Sequence, residues 1–68
     1  MEYKQALRRS RAVAGMTQAE AAAKLGVAQS TISCWERGKS VPSVSDAISM
    51  SHVYGLPLDK LLGLEPLI

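Results

Sequence analysis

Five glycines, at positions 15, 26, 38, 55 and 63, cut this 68-residue chain into stretches of at most sixteen residues. Good helix formers fill the stretch ahead of each glycine, so the chain reads as a series of short helices, each ending at its glycine. The composition agrees. Nearly half the residues are hydrophobic, but nine are alanine, with one Trp, two Tyr and no Phe, which suits closely approaching helices better than a β-sandwich. The length admits one domain, and a chain this small buries only ~60% of its unfolded surface. The core is therefore thin, and no deep catalytic pocket is expected.

Local signals place the elements. Tyr3 to Ala14 forms the first helix. Thr17 with Glu20 three positions on has the capping-box pattern, in which hydroxyl and carboxylate each satisfy a backbone donor, so the second helix starts at Gln18 and runs to Leu25. Gly26 suits a sharp reversal because it lacks a Cβ. From Ala28 to Arg37, a step of ~100° per residue puts Ala28, Ile32 and Trp35 on one side and Ser30, Ser33 and Arg37 on the other, flanked by Gln29 and Cys34. Lys39 to Pro42 is a loop. Ser43 and Asp46 repeat the capping pattern, and Val44, Ala47, Ile48, Ser51 and Tyr54 form the expected inner stripe of a fourth helix. Leu58, Leu61 and Leu62, after Pro57 and Asp59, make a short fifth helix. Residues 1–63 thus form the domain and 64–68 a short apolar tail.

Cys34 is the single cysteine, so no internal disulfide forms and a reducing, cytoplasmic compartment is expected. No apolar run approaches the ~18 residues of a membrane span. His52 has no neighbouring ligand cluster and implies no metal site. The sequence shows no nucleophile with a base and no phosphate-cradling glycine loop, so neither an enzyme nor a cofactor is expected. Charge is uneven. Residues 1–39 hold seven basic side chains (Lys4, Arg8, Arg9, Arg11, Lys24, Arg37, Lys39) and three acids (Glu2, Glu20, Glu36), whereas residues 40–68 hold Lys60 and three acids (Asp46, Asp59, Glu65). A solvated surface accounts for such an imbalance, and so does a front half that faces a polyanion.

Gln18 to Arg37, with small Ala22 in its first helix, Gly26 at the turn and Leu25, Val27, Ile32 and Trp35 directed inward, resembles the helix-turn-helix unit of phage repressors, Cro proteins and Xre-type bacterial regulators. The likeness extends from Leu7 to Leu62 and includes the TQAE of Thr17–Glu20, the WERGK of Trp35–Lys39, and Pro42. It implies an all-α, lambda-repressor-like DNA-binding domain of five short helices, with the helix-turn-helix at helices two and three. It also implies that the third helix reads bases in the major groove. Gln29 is the first candidate, because its amide can donate to and accept from adenine together, with Ser30, Thr31, Ser33 and Cys34 beside it. By the same resemblance Gln18, Arg37 and Lys39, then Arg8 and Arg9, are phosphate contacts. Arg11 and Glu36 stand where the family often has an ion pair tying the first helix to the end of the third.

Three positions depart from the family pattern. Ala21 replaces a larger aliphatic, leaving volume for Trp35 to fill. Ala28 replaces a Ser or Thr cap, at about 1 kcal/mol. Ser51 interrupts the inner stripe of the fourth helix, and bonding back to a carbonyl would satisfy it. The expected function is a small transcriptional regulator, most simply a repressor acting by operator occupancy on double-stranded DNA. The second reading is an antitoxin-like helical interaction module that binds DNA secondarily. No small-molecule ligand and no membrane partner are expected. Leu64, Leu67 and Ile68, with Val53 on the outer side of the fourth helix, either fold back on the subunit or pack across a two-fold axis. The expectation adopted is a homodimer through this C-terminal region, on a palindromic operator.

Overall fold

The structure, a computed structural model, describes residues 3–63. Five helices follow one another: α1 (Tyr3–Val13), α2 (Gln18–Leu25), α3 (Gln29–Arg37), α4 (Val44–Tyr54) and α5 (Leu58–Leu62). No strand occurs among the described residues. α1 packs on α5 and α3, α2 on α3 and α4, and α4 on α5, so the α2–α3 pair is held from both sides.

The helix starts follow from side chains that satisfy exposed backbone donors. Thr17 accepts from the Glu20 amide and Glu20 from the Thr17 amide, closing a reciprocal box at the head of α2. Ser43 and Asp46 build the same box at the head of α4. α3 has none. Its cap is Ala28, extended and without a side-chain bond, so the helix begins at Gln29. Ala28 is also exposed rather than inward-facing, because as the cap it lies before the helical register begins. Between α2 and α3, Gly26 adopts φ 71°, a conformation that a Cβ would oppose. Its N–H and that of Val27 both donate to the Ala22 carbonyl, which turns Val27 back against the core.

Leu7, Ile32, Met50 and Leu61 are the largest fully buried side chains, each worth ~1.5–3 kcal/mol of transfer free energy, and Ala21, Ala22, Trp35, Ala47 and Tyr54 complete the core. α4 departs from its expected stripe. Val44 and Ile48 are exposed, while Met50 is buried and Val53 packs half-buried against the core rather than pointing outward. Aliphatic residues lie on both flanks of this helix, so periodicity alone leaves its phase open, and packing against α2 and α5 selects the Ala47–Met50–Tyr54 side. Ser51 donates its hydroxyl to the Leu56 carbonyl, five residues ahead in the turn before α5, rather than backward along its own helix. The expected apolar tail of Leu64, Leu67 and Ile68 lies outside the described residues.

Candidate nucleic-acid interface

Everything in the candidate interface depends on which way α3 faces. Ile32, Trp35 and Glu36 are its buried residues, with Trp35 only 4% and Glu36 8% exposed. At ~100° per residue, Ser30 and Arg37 then lie opposite the core, with Ser33 and Cys34 on either shoulder. Gln29, Ser30 and Arg37 are exposed, and Thr31, Ser33 and Cys34 are half-buried. The six side chains are not equivalent. Ser30, Ser33, Cys34 and Arg37 share one outward strip, Gln29 projects from the first turn, and Thr31 sits on the flank next to Trp35. Arg37 lies back along its own helix, with Nε donating to the Ser33 carbonyl at 3.4 Å.

The one carboxylate of α3 is removed from this strip. Arg11 grips Glu36 with two parallel bonds, Nε to Oε2 at 2.7 Å and Nη2 to Oε1 at 2.9 Å, and its Nη1 donates to the Met16 carbonyl at 2.8 Å. One guanidinium therefore ties α1, the turn after it and the end of α3 together. The hydrogen bond to Glu36 holds Arg11 above its already high pKa, against the opposing pull of burial. Tyr54 lies close enough to feel both charges. Burial first, then Glu36, raises its phenol above the usual 10.0, with Arg11 opposing. Among the described residues its hydroxyl finds no hydrogen-bond partner.

Gln18, at the head of α2, donates Nε2 to Glu36 Oε1 at 3.2 Å. That bond uses one of two amide hydrogens and leaves the other for a further acceptor. Arg8 and Arg9 are both exposed but point differently: Arg8 shares the Lys4–Arg11 flank of α1, whereas Arg9 is ~100° further round, away from α3. Lys39 is exposed in the loop after α3.

Sequence reasoning overlooked Lys4. Its aliphatic stem lies across Gly38 so closely that a Cβ there would stand 2.9 Å from Lys4 Cδ and 3.7 Å from its ammonium nitrogen. Tyr3 donates from its hydroxyl to the Ser40 carbonyl at 3.3 Å. The first turn of α1 thus sits against the end of α3 and the loop after it, beside Arg37 and Lys39, and its lysine adds to the positive charge of that corner. The available signal was the i, i+4, i+7 spacing of Lys4, Arg8 and Arg11 along one side of α1.

Among the described residues no three metal-binding side chains come together, and no helix is long and apolar enough to cross a membrane. Comparison with known proteins adds a family. The chain is 34% identical over its full length to the HTH-type transcriptional activator BcrR of Enterococcus faecalis, spanning 33% of that protein. It is 37% identical over 57 residues, 84% of this chain and 45% of the relative, to the HTH-type transcriptional regulator ImmR of Bacillus subtilis (strain 168). The chain therefore spans less than half the length of these curated relatives. A family model described as helix-turn-helix matches residues 7–61, from the buried Leu7 of α1 to the buried Leu61 of α5. A match over so much of the chain, on a five-helix fold with α2 and α3 as the central pair, places the chain in the Xre-type helix-turn-helix family.

Proposed function

We propose that this chain binds double-stranded DNA sequence-specifically as a transcriptional regulator, with α3 in the major groove. The observation that carries the reading is the outward strip of α3. It presents hydroxyls, a thiol and a guanidinium, with the Gln29 amide projecting beside it from the first turn, while the helix's only carboxylate is turned inward and held by Arg11 and Gln18. A duplex repels exposed acids and rewards such donors. In this reading Gln29 makes the most discriminating base contact, supported by Ser30, Ser33 and Cys34, with Thr31 at the flank. Arg37, Lys39 and Gln18 hold phosphates on either side, and Arg8 is better placed to join them than Arg9. Arg11 acts through Glu36 by fixing the tilt of α3 rather than by reading DNA.

One subunit presents a single reading helix, enough for a few base pairs, so we take the working form to be a pair of subunits on a palindromic operator, with half-sites ~34 Å apart. Occupancy of such a site regulates a promoter without chemistry, most simply by repression when the operator overlaps the promoter. These features support a non-enzymatic role in the cytoplasm.

Selection of bound sites from a random DNA pool tests the reading. A palindromic consensus, narrowed at one position by Gln29, is the expected result. Enrichment no better than shuffled DNA, together with recovery of a tight protein partner, would overturn it in favour of a protein-interaction module.

A further inference from the structure

Lys39 stands at the start of a stretch that neither neighbouring helix covers. Its near end is set by α3, because the Lys39 amide donates to the Cys34 carbonyl at 2.9 Å. Its far end is set by α4, where the Ser43 hydroxyl accepts from the Asp46 amide to open the capping box. Between these points lie Ser40 and Val41, both exposed, and the half-buried Pro42. Pro42 has no N–H to donate and disfavours helical backbone at Val41, so α4 cannot extend backward to take up this stretch.

The first turn of α1 reaches the residue on either side of Lys39. The Lys4 stem lies over Gly38, with Cδ 2.9 Å from where a Cβ would stand, and the Tyr3 hydroxyl donates to the Ser40 carbonyl at 3.3 Å. Only a residue without a Cβ lets the stem come so near. Both side chains come from a helix that is itself anchored: Tyr3 packs against the core, Leu7 one turn on is fully buried, and Arg11 is paired with Glu36.

We propose that Tyr3 and the stem of Lys4 are positioning residues for DNA binding: by bracketing Lys39 at the residue before and the residue after, they fix its backbone so that its ammonium meets a phosphate at a set distance from α3. This rests on the DNA-binding reading above and deepens it by naming what orders a phosphate contact. The gain is entropic. Fixing the backbone of one loop residue costs ~1–2 kcal/mol, and a loop already held by α1 does not lose that freedom again on meeting DNA. A phosphate contact at a fixed place also sets the register of α3 over the bases, which a contact on a loose loop does not. Packing alone would need the Tyr3 ring and not its hydroxyl.

Tyr3→Phe keeps the ring and removes the bond. Its melt should match the wild type, while its affinity for a mixed-sequence duplex of about 20 base pairs falls about threefold, the equivalent of one net hydrogen bond. The deciding readout is coupling to Lys39. Lys39→Ala lowers the salt slope by ~0.9 per subunit, and in that background Tyr3→Phe should have no further effect, because no ammonium remains to be placed. Lys4→Met and Lys4→Ala both remove the charge, but methionine keeps most of the stem, so it should bind about twofold more tightly than alanine, again only while Lys39 is present. Unchanged affinity in Tyr3→Phe, an equal loss with and without Lys39, or a loss matched by a lowered melt overturns the proposal and leaves the DNA reading intact. Backbone NMR of the free chain needs no DNA: the order parameters of Ser40 and Val41 stand near the ~0.85 of rigid backbone in the wild type and fall in Tyr3→Phe, while that of Ile32 stays. Order parameters that do not change overturn the bracket even where the chain binds DNA. Absence of salt-dependent duplex binding by the unaltered chain removes the DNA reading itself, and with it the placing of Lys39.

Discussion

The two ends of α3 are held in opposite ways. Its last turn is fixed by Trp35 in the core, by Glu36 under Arg11 and Gln18, and by Gly38 donating to the Cys34 and Trp35 carbonyls. Its first turn has an alanine cap with no side-chain bond, an exposed Gln29 and an exposed Ser30. α2 and α4, by contrast, start with closed boxes. A helix anchored at its far end and unsealed at its near end keeps its orientation while its leading amides and side chains stay open to an outside partner.

The largest expected effect comes from breaking the anchored end. Arg11→Ala strands a buried carboxylate, which costs about 3 kcal/mol or more. Against the ~5 kcal/mol typical of so small a domain, thermal unfolding of the variant should begin more than about 12 °C lower. An unchanged melt with weakened DNA binding would instead make Arg11 a direct phosphate contact. Next, Ala22→Leu crowds a residue only 5% exposed where α2 meets the rest of the core, and overpacking of this kind costs ~1–3 kcal/mol. A melting curve that stays put would contradict the close approach of α2.

At the unsealed end, Gln29→Ala should leave the melt in place and relax preference at one base pair by ~1–2 kcal/mol, read by binding to operator variants. Ala28→Ser supplies the missing cap and should raise stability by about 1 kcal/mol. Whether operator affinity then rises or falls shows whether DNA uses those first amides itself. The smallest effect distinguishes the boxed start of α2. Bonds from Thr17 hold the Glu20 carboxyl below its usual 4.5, so the native state binds this proton less readily than the unfolded chain. The stabilisation is complete above the unfolded value and is lost as pH falls through the lowered one. Glu20→Gln should therefore melt below the wild type at neutral pH, with the gap closing in acid.

The helices were legible because their signals are local. Glycines stop them, and Thr17–Glu20 and Ser43–Asp46 start them, within four residues of chain. The side on which α4 packs was not legible, because Val44 and Ile48 on one flank balance Met50 and Val53 on the other until neighbouring helices choose between them. Nor was the direction in which Ser51 bonds, since its acceptor belongs to a turn whose shape the next helix sets. At the candidate interface, the outward strip of α3 follows from periodicity once Trp35 is placed inside. The attachment of Gln18 to a carboxylate eighteen positions away depends on how α2 and α3 cross, which no window along the chain contains.

The crossing of Lys4 over Gly38 has a consequence for any attempt to miniaturise this protein. A peptide cut to residues 18–39 would retain the turn and the outward strip of α3, but lose the lysine that lies over its exit and the arginine that clasps Glu36. Such a fragment would lose a clamp and two cations together, so its grip on a duplex should weaken more steeply than its helix content. The electrostatic character of the corner is a property of the whole assembled domain, and grafting the segment onto another scaffold would require rebuilding the first helix above it.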